Sequence, residues 1–478
     1  MEGSILQSPA RSRILHLLDD KSFVEMGAAI RARRTNESGI GSGEPGDGVI
    51  TGYGLIDGKP VYVYSQDSTV MGGTLGRMHA AKITRIYDLA TKTGTPVVGL
   101  IDSHGFRLEE SVDALQAFGE VYRKQAEASG SVLQIGAVFG ECAGAVAFMA
   151  AMNDLTLMEA DKTAFFINSP NAIPGSSREK LDTTTAAFQA AETMNVDMVA
   201  DEVGVLARIR ALVSLLPSNH AEGCDAIQLT DDLNRSVEEL NGLEADGRYV
   251  AAVLADEKQF IELKSGFGED MITGFMRLGG MPVGVLANNA VTTDADGETV
   301  VLPEGLSVRG LKKAVSLVKF CDAFSLPLVT LTNTKSFKAS LCTEKQLVTE
   351  AAALISALAQ AGIPKVNVVT GRAMGSAGLL MNSKALGADM EFAWPQARIG
   401  LMEAKLAAGI MHHDQSAAYI SEQAALYEEE QNGAAAAAAR GYVDQVIDVA
   451  DTRKHLIAAL SLLEYKRETV SFKRHSTK

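Results

Sequence analysis

Val132-Leu-Gln-Ile-Gly-Ala-Val-Phe139 runs into Gly140-Glu-Cys-Ala-Gly-Ala145 and then into Val-Ala-Phe-Met-Ala-Ala-Met152. This stretch reads as strand, glycine turn and helix. The apolar run is rich in Val, Ile and Phe, and after two glycines Phe148, Met149 and Met152 fall on one helical face. A turn of this kind leaves bare backbone N–H groups at a helix start, where they can stabilise negative charge.

The chain makes the arrangement twice. Val366-Asn-Val-Val-Thr370, Gly371-Arg-Ala-Met-Gly-Ser-Ala377 and Gly-Leu-Leu-Met-Asn-Ser-Lys384 repeat it. Gly140 answers to Gly371, Gly144 to Gly375 and Pro96 to Pro327, all at one separation. A further block pairs Ile50-Thr-Gly-Tyr53 through Pro60-Val61 with Ile272-Thr-Gly-Phe275 through Pro282-Val283. Three matched blocks in one order predict a duplicated domain. The expected halves are residues 1–235 and 236–478, with the connection between Pro217 and Glu244.

At 478 residues, 46% hydrophobic and 22% charged, the chain can bury a large core in each half. Its formal charge of −15 argues against a nucleic-acid partner, so an anionic ligand would need a local basic pocket. The start, Met-Glu-Gly-Ser-Ile-Leu-Gln, lacks the basic and apolar regions of a signal peptide. Residues 135–152 are apolar enough to resemble a membrane span. Glu141 and the glycine turn interrupt them, and buried core is the expectation. Cys142, Cys224, Cys321 and Cys342 show no Cys-x-x-Cys spacing, so neither a zinc ribbon nor a disulfide framework is expected, and a cytoplasmic protein is.

Along the chain, Ser8 to Arg34 carries an amphipathic pattern that predicts a helical preamble. Thr35 to Gly48 is Gly/Ser/Glu-rich and predicts a loop. The first core is expected over 49–173, largely helical chain from Arg178 to Asp232, the second core over 249–402, and a helical tail that includes the alanine run 434–439.

Several segments resemble the carboxyltransferase (beta) subunit of biotin-dependent acyl-CoA carboxylases and decarboxylases. They include Asp47-Gly-Val-Ile-Thr-Gly-Tyr-Gly54, Gly72-Gly-Thr-Leu-Gly76, Cys142-Ala-Gly144, Leu215-Leu-Pro-Ser-Asn219, Phe320-Cys-Asp-Ala-Phe324, Ala393-Trp-Pro395 and Ala438-Ala-Arg-Gly-Tyr-Val-Asp444. The resemblance covers nearly the whole chain. It implies an α/β fold of two tandem crotonase-like domains of the ClpP/crotonase superfamily, each a β-β-α superhelix. The N-terminal domain is expected on the acyl-CoA side and the C-terminal domain on the biotin side. An active site shared across a homodimer, often built into a hexamer, is also implied. The family further implies biotin on a separate carrier, with a biotin carboxyl carrier protein and a biotin carboxylase subunit as partners, or a decarboxylase membrane subunit in their place. No metal is expected on this chain.

The reaction such a family performs creates two anions, the thioester enolate and the biotin ureido oxygen. Two glycine turns would give two oxyanion holes. By the family pattern, Gly144 and Ala145 supply N–H groups for one and Ser376 and Ala377 for the other. His104, Gly105, Arg107, Gly140, Gly375, Gly378 and Leu379 are the expected substrate-binding positions.

This chain departs from the family pattern at these places. Asp102-Ser-His-Gly-Phe-Arg107 replaces the usual Asp-Ser-Gly-Gly-Ala-Arg, and Thr334-Lys-Ser-Phe-Lys338 replaces a Pro-Gly loop. Ser376 stands where glycine is usual, and Gly378-Leu379 where Tyr-Asp is. Loss of the Tyr ring at Gly378 is expected to open space. In the family, Asp at the Leu379 position accompanies propionyl-CoA use and an apolar residue accompanies acetyl-CoA use.

Other residues admit two readings. His104 is a proton-transferring or acyl-recognising side chain, or a spacer. Cys142 is a packed cysteine or a nucleophile. His412-His413-Asp414 is a solvated helix face or a metal site. Three functions remain open: a carboxylase component, a decarboxylase component, and a non-catalytic homologue.

Overall fold

The computed structural model of the protein describes residues 8–33, 46–224, 226–227, 231–293 and 297–466. Most of the loop expected over Thr35 to Gly48 lies outside them. The chain divides into two units, Met1–Gly223 and Cys224–Lys478.

The first unit opens with helix α1 (Pro9–Leu17). Ser8 caps it by accepting the Arg11 N–H, and Pro9 takes the first helical position, where its missing N–H costs nothing. The helical preamble expected through Arg34 ends early. After a turn in which the Ser22 N–H donates to the Asp19 carbonyl, the chain becomes strand β1 (Val24–Met26), antiparallel to β2 (Val49–Ile56). Gly52 permits this approach, because a Cβ there would strike the Val24 carbonyl and the Phe23 ring.

A tight turn leads to β3 (Lys59–Gln66), antiparallel to β2. Beyond β3 the strands run parallel, and crossovers between parallel strands are right-handed as a rule. The order is α2 (Arg77–Thr93), β4 (Val97–Ser103), α3 (Val112–Ala128), β5 (Gln134–Ala143), α4 (Ala145–Ala151) and β6 (Leu155–Glu159). Strand β7 (Ala164–Phe166) pairs with the far end of β5. The stretch expected to be largely helical holds α5 (Ala186–Glu192) and α6 (Glu202–Leu215), and between them a short strand, β8 (Met198–Ala200), parallel to β6. The sheet order is β1-β2-β3-β4-β5-β6-β8, with β7 on β5. Ile83, Ile86, Tyr87, Phe118, Val121, Val138, Val146 and Met149 form its core against α2, α3 and α4.

The second unit repeats this order. After α7 (Gly247–Leu254), strands β9 (Phe260–Leu263), β10 (Met271–Leu278) and β11 (Met281–Asn288) answer to β1, β2 and β3. A two-stranded ribbon, β12 (Val291–Thr293) with β13 (Thr299–Val301), is inserted before α8 (Val308–Ala323). Then come β14 (Leu328–Thr334), α9 (Leu341–Gln360), β15 (Lys365–Met374), α10 (Gly375–Leu379), β16 (Met390–Ala393) and β17 (Arg398–Gly400). The chain ends in α11 (Ala404–Met411), α12 (Ala417–Glu430), α13 (Ala434–Ala439), β18 (Gln445–Val446) and α14 (Thr452–Leu463).

Sheet order and strand directions match the first unit throughout, with β14, β15, β16, β17 and β18 in the places of β4, β5, β6, β7 and β8. Even the register irregularity recurs, between Ile101 and Ser103 in β4 and between Thr332 and Thr334 in β14. The alanine run is helical as expected, and Ala434 and Ala437 are buried against Val369 and Ala393. Among the described residues no helix is long and apolar enough to cross a membrane.

Candidate active site

Strand β5 is longer than the sequence suggests. It passes through Gly140 to Ala143, because β7 offers its far end a second partner. The sharp turn is therefore at Gly144 alone, whose φ of +59° places it where side chains other than glycine are strained. Gly140 serves a different purpose. A Cβ there would enter the Asp102 carboxylate, which also receives Ser68 Oγ at 2.9 Å and Arg13 Nη1 at 3.3 Å.

The expectation that Gly144 donates to an oxyanion is corrected by geometry. Its N–H already donates to the Phe166 carbonyl at 2.8 Å, continuing the β5–β7 ladder. Ala145 is the first helical residue of α4, so its N–H has no intrahelical carbonyl to reach. Ala147 N–H closes back on the Gly144 carbonyl at 3.1 Å. Gly144 thus shapes the turn, and the Ala145 N–H is left without an intrahelical acceptor.

The loop after β4 is fixed from both sides. Leu75 N–H donates to the Gly105 carbonyl, Arg107 N–H donates to the Leu75 carbonyl, and His104 N–H donates to the Gly72 carbonyl. Gly105, at φ +106°, lies against the Ala143 carbonyl, which sets the loop beside the turn. His104 leaves this loop half exposed, with Nε2 3.9 Å from Glu141 Oε2.

Arg107, expected as a substrate-binding position, has its side chain enclosed by protein. It is buried and ion-paired with Asp47 and, at 3.1 Å, with Glu110. Burial raises the Asp47 carboxyl pKa even against the pull of Arg107. Arg107 is better described as the rivet of the loop than as a substrate contact. His79 belongs to the same layer. It is fully buried, with Nδ1 donating to the Asp47 carbonyl at 2.9 Å and Nε2 accepting from Gln66 at 3.2 Å. Desolvation, aided by Arg107 and Lys82, pushes its pKa well below the ordinary histidine value. The Cys142 thiol is buried and its pKa is driven upward by desolvation, which removes the thiolate that a nucleophile requires.

In the second unit, Met374 leads into Gly375 at φ +56°, followed by Ser376 and Ala377 in the first turn of α10. Asn333 holds the approach to this turn. Its Oδ1 accepts the Arg372 N–H at 3.0 Å, its Nδ2 donates to the Glu244 carbonyl at 2.8 Å, and its own N–H donates to Asn288 Oδ1 at 2.9 Å. A Cβ on Gly371 would collide with Asn333 Oδ1. Asp102 and Asn333 therefore stand against Gly140 and Gly371 at equivalent points, and Gln66, which accepts the Asp102 N–H, answers to Asn288.

The space expected beside Gly378 is not open. Its Cα packs on the Ala373 backbone so closely that any Cβ would strike it. Leu379, the next residue, is 43% exposed.

A cavity of about 920 Å³ lies beside the second turn. Its walls include Gly371, Arg372 and Met374 as well as Asn333, Lys335 and Glu403. His412 caps α11, and His413 beyond it pairs with Asp414, both largely exposed, so the segment is solvated as expected but lies past the helix end rather than on a helix face. Among the described residues no cluster of His, Cys, Asp and Glu could hold a metal.

Two β-β-α units, each with a positive-φ glycine opening a short helix at the end of its ten-residue strand, define a tandem crotonase-like protein. The chain belongs to the carboxyl transferase domain family, whose model matches residues 7–477, and it is a biotin-dependent acyl-CoA carboxyltransferase. It is 36% identical to the propionyl-CoA carboxylase beta chain of Roseobacter denitrificans, over 98% of this chain and 92% of that one. It is 35% identical, at the same coverage, to the methylmalonyl-CoA decarboxylase subunit alpha of Veillonella parvula. Its fold matches the transcarboxylase 12S crystal structure, a hexamer with methylmalonyl-coenzyme A and methylmalonic acid bound. That match has a TM-score of 0.90 and 33% identity, over 100% of this chain and 93% of that one.

Proposed function

We propose that the chain is the carboxyltransferase component of an acyl-CoA carboxylase and works with biotin borne on a separate carrier protein that a biotin carboxylase subunit charges. The observation that carries this reading is the pair of equivalent glycine turns. Each of them starts a helix whose first N–H groups lack carbonyl partners. Ala145 is the donor for the thioester oxygen of a short acyl-CoA, and Ser376 and Ala377 are the donors for a ureido oxygen.

The 920 Å³ cavity, walled by Gly371, Arg372 and Met374 of β15 just before the second turn, has room for a bicyclic ureido ring. Bound biotin supplies a carboxyl group on nitrogen in exchange for the α-proton of the acyl group. The chain's part is to hold both oxygens against fixed donors and to keep the two reacting carbons aligned. A cytoplasmic location and assembly as a homodimer or hexamer belong to the same reading.

The likeness to a decarboxylase subunit supports a second reading, in which the same site runs toward carboxyl release. The direction is decided by mixing purified chain with biotinyl carrier and following label from carboxylated acyl-CoA onto biotin, and the reverse. Carboxyl transfer in neither direction would refute both readings. If the site is shared across a dimer, an Ala145 variant and a Ser376 variant, each inactive, should recover activity after subunit exchange. No recovery in demonstrably mixed dimers would place each site within one chain.

A further inference from the structure

The duplication pairs side chains as well as turns. His104 and Glu141 flank the first turn, and the residues at the repeat separation from them are Lys335 and Arg372. The first unit thus carries an acid and a base at these positions, and the second carries two cations. Lys335 follows β14, Arg372 stands three residues before Gly375 on β15, and both line the 920 Å³ cavity.

Two neighbouring cations repel unless an anion lies between them. Here that anion is Glu403, whose Oε1 is 3.7 Å from Lys335 Nζ and 3.9 Å from Arg372 Nη1. Neither distance is a hydrogen bond. Glu403 is half exposed and immediately precedes α11, so its carboxylate sits among the cations without being bonded to either. Lys335 also pairs directly with Glu304 at 2.6 Å, a 63% exposed carboxylate that lines the same cavity, and water screens this pair as it screens half-exposed Glu403 and Arg372. Lys338, the other cation of the loop, is turned away onto buried Asp270 at 3.3 Å.

We infer that Lys335 and Arg372 form a carboxylate-binding site beside the second turn, in which Glu403 holds the place of the carboxyl group being transferred. This rests on the carboxyltransferase reading. The ligand is a carboxylate borne on the nitrogen or carbon atom beside a carbonyl whose oxygen gains negative charge. Lys335 and Arg372 bind its two oxygens while the Ser376 and Ala377 N–H groups take the neighbouring oxyanion. Such a carboxylate comes either from the charged carrier or from a carboxylated acyl-CoA.

Malonate, which has the carboxylate but neither a ureido ring nor coenzyme A, is the probe. Calorimetric titration of the full-length wild type, Lys335→Met, Lys335→Arg and Glu403→Gln should show four different behaviours. Lys335→Met should weaken binding about tenfold, the weight of one charge-assisted hydrogen bond. Lys335→Arg should keep most of the affinity, and Glu403→Gln should tighten it at least about twofold by removing the competing carboxylate. Equal affinities, weaker binding in Glu403→Gln, or no binding to either wild type or Glu403→Gln would overturn the site. Should Lys335→Met misfold, the wild type and Glu403→Gln comparison decides alone. In turnover, the Lys335→Met variant should raise KM for one donor only, and which donor it is separates carrier from carboxyacyl-CoA. If malonate affinities shift as stated while the wild type transfers no carboxyl group, the functional reading fails and the site stands. If transfer occurs with level affinities, the site fails and the function stands.

Discussion

Gly144 and Gly375 share a positive φ, +59° and +56°, at equivalent ends of two separately built sheets. The helix starts after them differ. Ala145 begins α4 directly after Gly144, whereas Gly375 is itself counted into α10.

This permits a clean deletion of one donor. Proline is tolerated at the first position of a helix, where its missing N–H would be unpaired in any case. Ala145→Pro should therefore fold normally and lose about 10²–10³ in kcat. Near-normal turnover in a folded Ala145→Pro variant would show that this N–H does not meet the reacting oxygen.

Gly371 and Asn333 should be energetically coupled. Gly371→Ala drives a methyl into Asn333 Oδ1 and displaces the Arg372 N–H bond, a cost of about 1–3 kcal/mol. Adding Asn333→Ala should return part of that loss. A denaturant-melt cycle that came out additive would mean the clash relaxes elsewhere.

His79 gives the fold an acid sensitivity whose sign can be worked out. Its folded pKa lies below the unfolded value near 6.5. Below that pH the unfolded chain takes up a proton that the folded chain refuses. The stability from keeping His79 neutral is thus present above about pH 6.5 and lost as pH falls below it, at up to about 1.4 kcal/mol per pH unit. Urea melts at pH 7.5 and 5 should show a steeper loss in wild type than in His79→Gln, and parallel losses would contradict the assignment.

Leu379 tests the acyl pocket. Leu379→Asp should alter the acetyl- to propionyl-CoA ratio of kcat/KM at least about fivefold with little change in stability, within the range one methylene commands. An unaltered ratio would mean that Leu379 does not line the pocket. The blocked space at Gly378 makes Leu379 the sole candidate of that pair.

Much of this was legible in the sequence because glycine is informative. Gly140 with Gly371 and Gly144 with Gly375 exposed the duplication, and the strand-turn-helix pattern placed both turns. The features that stayed hidden depend on distant partners. Nothing near Gly144 reveals that Phe166 takes its N–H, and nothing near Arg107 reveals Asp47 sixty residues earlier. Strands β1, β8 and β18 are two or three residues long, too short for periodicity, and exist because a neighbouring strand offers them a ladder. Lys335 stood out as a departure from the family loop, but its meaning needed Arg372 and Glu403 beside it.

The strands of the first sheet all lie between Val24 and Ala200, and those of the second between Phe260 and Val446. Each half carries its own buried cluster. On the ribosome, a chain built this way can close its first sheet while the second is still unsynthesised. The apolar run around Val138 is then shielded well before its near-copy around Val368 emerges to compete for the same partners.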